Sequence, residues 1–158
     1  MALLPIVLLG DPVLRGRAAL VTAFDVNLKT LAADMLDTMY AAPGRGLAAP
    51  QVGVPLRLFV MDIGWKEGTS DPLVFVNPRI TDASDVLVPY TEGCLSIPGQ
   101  TSRVARPDRV ELLWQDLDGA SHNGWFAGFA AVCVQHERDH LDGILCIDLP
   151  VVPDAVPD

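Results

Sequence analysis

The chain has 158 residues, half of them apolar, with 20 acidic against 11 basic side chains and a formal net charge of −9. That length suits one domain, 1–158, with a real core, and the apolar content with its positive mean hydropathy excludes an intrinsically disordered chain. The acidic balance argues against direct nucleic-acid binding or a grip on anionic lipid, and three cysteines are too few and too odd for a disulfide framework.

Residues 3–24 are largely apolar but punctuated by Pro, Gly and Arg, and read as an extended segment followed by a loop. The longest apolar candidate, Ala2 to Gly10, is interrupted by Pro5 and is too short to span a membrane. It also lacks the basic start and cleavage pattern of a signal peptide, so a cytoplasmic location without membrane partners is the expectation. Asp25 or Asn27 can cap a helix running to about Ala42, with Leu28, Leu31, Ala32, Met35, Leu36 and Met39 as one buried stripe. Pro43-Gly44 stops it.

The stretch Gly44 to Gly53 carries three glycines, two alanines and a proline, poor material for a regular element but suited to close approach of backbone to a ligand. It is not a phosphate loop, having neither the Lys-Ser/Thr ending nor a following helix pattern. Strands are expected at Leu56 to Asp62 and Leu73 to Val76, joined by a polar loop, with Asn77-Pro78 ending the second. An extended piece, Val86 to Tyr90, leads into Glu92-Gly93-Cys94-Leu95-Ser96. Further strands follow around Arg103 to Arg106, Val110 to Asp116 and Ser121 to Ala127, with Asp118-Gly119 as a hairpin turn. A second helix then spans about Gly128 to Leu141. The tail from Leu149 to Asp158 holds three prolines and cannot form a long helix. The expectation is an α+β fold, mostly antiparallel sheets packed around the C-terminal helix, with another helix near the N-terminus.

The C-terminal helix carries His136-Glu137-Arg138-Asp139-His140. Histidines four residues apart share one helical face and can reach one cation, with Glu137 beside them to handle protons. A catalytic site of this kind wants a third protein ligand. Downstream there is no Glu or His, only Asp142, Asp148, Asp154 and Asp158, which weakens a metalloprotease reading. Cys94 is the better candidate, since a thiolate binds borderline-soft cations strongly. Cys133 is a rival one turn before His136, but three ligands on one helix do not readily close a tetrahedral site. Cys146 reads as buried packing.

Three motifs together, Gly44-x-Gly46-Leu47-Ala48-Ala49-Pro50-Gln51, Glu92-Gly93-Cys94-Leu95-Ser96 and Gln135-His136-Glu137-x-Asp139-His140-Leu141, resemble those of the peptide deformylases, in the family's order and approximate spacing. The resemblance implies hydrolytic removal of the formyl group from N-terminal formyl-methionine of nascent polypeptides, with ribosome-associated chains as the source of substrate. It implies Cys94, His136 and His140 as ligands of one divalent metal, Fe2+ in the cell, with Zn2+ or Ni2+ able to substitute. Glu137 would be the general base, and Gln51 with the Leu95 backbone N–H would stabilise the oxyanion. The Gly46 backbone would hold the peptide as an added strand, and Phe129, Val132 and Cys133 would line the methionine pocket. Glu92 and Asp139 stand as carboxylates that orient ligands or neighbouring arginines, or as simple salt bridges.

Two departures matter. Arg45 stands where the family usually has an aliphatic residue near the side-chain pocket, and Thr101 stands where an arginine usually binds the peptide backbone, with Arg103 two residues on. They raise an alternative, a deformylase-like protein of altered substrate or weak activity that mainly binds metal and peptide. The tail also lacks the long basic helix of some members, so ribosome docking by such a helix is not expected.

Overall fold

The computed structural model describes residues 2–152. Helix α1 (Val26–Ala41) begins where the Asp25 carboxylate accepts the Leu28 N–H, and it buries Leu28, Ala32, Met35 and Met39 on one face. Strand β1 (Gly46–Ala48) follows and passes directly into a 3-10 turn, Ala49–Val52. The glycine-rich stretch is therefore more regular than its composition suggests. Strands β2 (Leu58–Met61), β3 (Leu73–Ala83), β6 (Arg109–Gln115) and β7 (Ser121–Ala127) complete one antiparallel sheet in the order β1-β2-β3-β6-β7. Strands β4 (Leu87–Cys94) and β5 (Ile97–Pro107) form a separate two-stranded sheet. Helix α2 (Gly128–Leu141) follows β7.

Both faces of β2 are buried because helices cover both sides of the large sheet. Leu58 and Val60 pack into the cluster that contains the α1 stripe, while Phe59 and Met61 pack with Phe75, Leu112, Val134 and Leu141 on the α2 side. The strand's period of two thus serves two cores at once.

Three expectations need correction. Asn77-Pro78 does not end β3. Asn77 takes a positive φ of 51°, its amide bonds Val21 and Gln115, and the register slips between Val76 and Arg79 before pairing resumes. Pro78, which has no N–H, falls inside that slip, so the strand loses no ladder bond. The extended piece at Val86 to Tyr90 and the strand at Arg103 to Arg106 are both longer than expected. They pair with each other from Leu87↔Pro107 to Cys94↔Ile97, and Leu95-Ser96 is the tip of that hairpin. From residue 153 onward the proline-rich tail lies outside the described residues.

Helix α2 ends beside Gly143, whose φ is +75° and whose missing side chain leaves room for the Arg15 carbonyl; a Cβ there would lie 2.4 Å from that oxygen. Arg57 bonds the Leu141 carbonyl and pairs with Asp142 at 3.0 Å, anchoring the same helix end to β2. Among the described residues no helix is long and apolar enough to cross a membrane.

Candidate metal centre

Helix α2 delivers two imidazoles and the hairpin tip delivers a thiol. His136 Nε2 lies 3.3 Å from His140 Nε2, and Cys94 Sγ lies 3.4 Å from His140 Nε2. All three ligand atoms fall within 4.8 Å of one another. Bonds of about 2.0–2.1 Å to nitrogen and about 2.3 Å to sulfur in tetrahedral geometry put donor atoms roughly 3.3–3.6 Å apart. The observed separations match, so the donor set fits a divalent cation. Cys133 does not join it. That thiol is buried on the pocket wall, and burial together with the nearby Glu137 and Glu92 carboxylates pushes its pKa far up, away from the thiolate a cation needs.

Behind the ligands is a buried ion network. Glu92, from β4, receives His136 Nδ1 at 2.9 Å and takes Arg106 in a two-pronged pair. Arg106, from β5, also reaches Asp139 on α2 at 2.9 Å. Burial alone would raise the Glu92 pKa, but the His136 and Arg106 hydrogen bonds outweigh it and keep the carboxylate ionised. This contact fixes the His136 ring so that Nε2 faces Cys94 and His140. Glu92 therefore touches a candidate ligand directly, whereas Asp139 acts on Arg106. Arg106 was not singled out in the sequence. The available signal was its parity with Ser102 and Val104, which places a guanidinium on the buried face of β5. Cys146 is also nearer the centre than plain packing implies, its Sγ lying within 4.8 Å of the Glu92 and His136 polar atoms.

Glu137 occupies the pocket side of the same helix. It is buried, and desolvation, partly countered by His136, raises its pKa to about 7. A carboxylate in that range can both take and return a proton near neutrality. Gly46 lies against it: a Cβ at position 46 would meet Glu137 Oε2 at 2.6 Å. Only glycine lets the edge strand β1 pass so close to this carboxylate.

Gln51 sits beside the thiol. Its Oε1 accepts the Ala48 N–H at 2.9 Å, which turns Nε2 toward Cys94 Sγ at 3.5 Å and Ser96 Oγ at 3.2 Å. Leu95 follows Cys94 at the hairpin tip, its side chain filling the space that a side chain at Gly44 would need. Ser96, which is fully buried, is a second residue that the sequence did not single out.

Gly46, Gln51, Glu92, Cys94 and Leu95 line one pocket of about 440 Å3, whose wall includes Phe129, Val132, Cys133, His136 and Glu137 from a single stripe of α2. Arg45 and Lys66 stand on the same pocket; Thr101 does not line it, and its neighbours Gly99 and Gln100 do. The Arg45 guanidinium lies over the Phe129 ring at 5.5 Å and bonds Glu67 at 2.6 Å.

A profile of the polypeptide deformylase family matches residues 3–151. The peptide deformylase of Zymomonas mobilis is 49% identical over 152 residues, spanning 94% of this chain and 86% of that protein. The peptide deformylase of Maricaulis maris is 47% identical, spanning 94% of this chain and 85% of that one. Among solved structures, that of peptide deformylase from Thermotoga maritima superposes with a TM-score of 0.91 at 41% identity, covering 97% of this chain and all of that one. The structure of the Synechococcus elongatus peptide deformylase in complex with actinonin superposes with a TM-score of 0.88 at 43% identity, over 92% of this chain and 79% of that one.

Proposed function

The chain belongs to the polypeptide deformylase family, and from that premise we propose that it hydrolyses the formyl group from N-terminal formyl-methionine of nascent chains, releasing formate, through the residues gathered at Cys94, His136, His140 and Glu137. The observation that carries the assignment of roles is a donor triangle of one sulfur and two nitrogens, with His140 Nε2 at 3.3 Å from His136 Nε2 and 3.4 Å from Cys94 Sγ and all three within 4.8 Å, and a buried carboxylate alongside.

Cys94, His136 and His140 hold the divalent metal on which this family depends; in the cell it is ferrous iron, for which a thiolate with two imidazoles is a suitable set, and zinc or nickel can take its place. When bound, the cation supplies Lewis acidity to the formyl carbonyl and the attacking water. Glu137 takes the proton from that water and returns it to the amine nitrogen as the C–N bond breaks, so one carboxylate serves as base and then acid. Gln51 Nε2 and the Leu95 backbone N–H donate to the oxygen on which negative charge grows. The Gln51 amide is held for this by its own Oε1, which is bonded to the Ala48 N–H. The β1 edge at Gly46 receives the peptide backbone as an added strand, and Val132, Cys133 and Phe129 receive the methionine side chain.

Residues 1–158 act as a single domain, working in the cytoplasm on chains emerging from the ribosome. The test is formate release from formyl-Met peptides by anaerobically iron-loaded protein. A fully metallated chain that leaves such peptides intact would overturn the reading.

A further inference from the structure

The strand edge assigned to the peptide is held from behind at its far end. Strand β1 pairs with β2 alone in its sheet, and residues 43–46 line the pocket. Two contacts orient the strand against the candidate centre. Gln51, which accepts the Ala48 N–H, reaches Cys94, and Gly46 lies against Glu137. The stretch from Gly46 back to Gly44 therefore leads away from the ligands, by roughly 7 Å at about 3.3 Å per extended residue. A peptide with its formyl group at the centre and its backbone along β1 runs antiparallel to the strand. The residue after methionine then comes level with Gly44 and Arg45.

The β1–β2 ladder does not reach Gly44. It ends at Gly46↔Met61, with one further bond from the Asp62 N–H to the Arg45 carbonyl. Gly44 is fixed instead by two other elements. Its N–H donates to the Met39 carbonyl of α1 at 2.8 Å, and its carbonyl accepts the Trp65 indole Nε1–H, also at 2.8 Å. Trp65 opens the 3-10 turn Trp65–Glu67 that follows β2, and it does not line the pocket. Its ring stands edge-on to Tyr40, with centroids 5.2 Å apart and planes at 80°, a favoured aromatic pairing that keeps the indole aimed.

We propose that Trp65 is a positioning residue for the substrate chain: its indole N–H holds the Gly44 peptide plane, and through it the Arg45–Gly46 edge, in the orientation that accepts the residues following methionine. This inference rests on the formyl-peptide reading above and concerns grip on the chain, not the hydrolytic step. Without that donor the Gly44 carbonyl turns to water, and the edge must be reordered each time a peptide binds.

The test measures kcat and KM of the iron-loaded full chain on N-formyl-methionine amide, which stops short of Gly44, and on formyl-Met-Ala-Ser, which passes it. In Trp65→Phe the tripeptide KM is expected to rise roughly three- to tenfold, the range that one lost hydrogen bond gives. Its kcat, and kcat/KM for the amide, should stay within about twofold of the parent, as expected for lost uniform binding. Trp65→His keeps an N–H at the equivalent position of its five-membered ring and should restore most of the tripeptide KM. Trp65→Met, also without a donor, replaces the phenylalanine variant should that one not fold. Equal losses on the two substrates mark a purely structural role and overturn the inference. So does an unchanged tripeptide KM, or a histidine variant no better than the donor-free one; each leaves the formyl-peptide reading standing. A metal-loaded parent inert on both substrates overturns that reading and the inference with it.

Discussion

Charged side chains gather at both ends of the pocket, in opposite settings. At the floor, Glu92, Arg106, Asp139 and His136 are buried and bonded to one another. At the mouth, Arg45 and Glu67 pair with side chains 31% and 60% exposed. The floor network cannot rearrange without stranding a charge in low dielectric, so it fixes where the His136 imidazole points. The mouth pair is solvated on one side and contributes little to stability. The charges beside the candidate ligands are locked, and those at the mouth are not.

The comparison is broken most directly at the floor. Replacing Glu137 with Ala should lower formate release by roughly 10²–10⁴-fold while circular dichroism and bound metal stay at parent levels. Retained activity would remove Glu137 from the proton path. Arg106→Ala strands the Glu92 and Asp139 carboxylates and should cost about 3–5 kcal/mol, read as a shift of the urea midpoint. Through His136 it should also weaken metal affinity by roughly 10–100-fold, measured by chelator competition. A loss below about 1 kcal/mol would show that the network is not the lock described.

An intermediate effect is expected where the mouth rests on the core. Asp62 is buried and accepts Tyr40 OH, Ser70 Oγ and the Asp71 N–H, while its own N–H bonds the Arg45 carbonyl. Burial raises its pKa, but the hydrogen bonds led by the Asp71 N–H outweigh that and hold it below the ordinary aspartate value. A depressed folded pKa stabilises the protein above the unfolded value, about 3.9, and that contribution is lost as pH falls through the lower folded value. Asp62→Asn should therefore cost about 1–3 kcal/mol at pH 7, and the gap from the parent should close as urea unfolding is followed down through pH 4 to 2. A gap that stays constant with pH would assign the loss to packing instead. The smallest effect belongs to Glu67→Ala, below about 1 kcal/mol in stability. A larger loss would erase the contrast between the two ends.

Much of this was legible in the sequence because local spacing carries it. His136, Glu137 and His140 need only the helical period, and helix α2 begins and ends at the residues its pattern marks. The α1 stripe is read from the same arithmetic. The hairpin that carries Cys94 was shorter in the sequence than in the fold, because Pro98, Gly99 and Gln100 have little strand propensity and are paired by tertiary context. The bulge at Asn77 was hidden for a related reason: Asn-Pro signals an end locally, and only distant partners at Val21 and Gln115 carry the strand through it. Pairings such as Arg106 with Glu92 and Asp139, or Arg45 with Glu67, join residues far apart in sequence, and no local pattern announces them.

The two-stranded sheet shares no ladder with the five-stranded one. Cys94 and His140 stand 46 positions apart in the chain, so a cation held by both would act as a removable cross-link, closing a long loop whose unfolded state is correspondingly restricted. With the cation withdrawn, the β4–β5 hairpin keeps two buried polar ties to α2, Arg106 to Asp139 and Glu92 to His136. It is therefore the segment whose backbone amides should exchange first on chelation, well before the β2–β3 core opens.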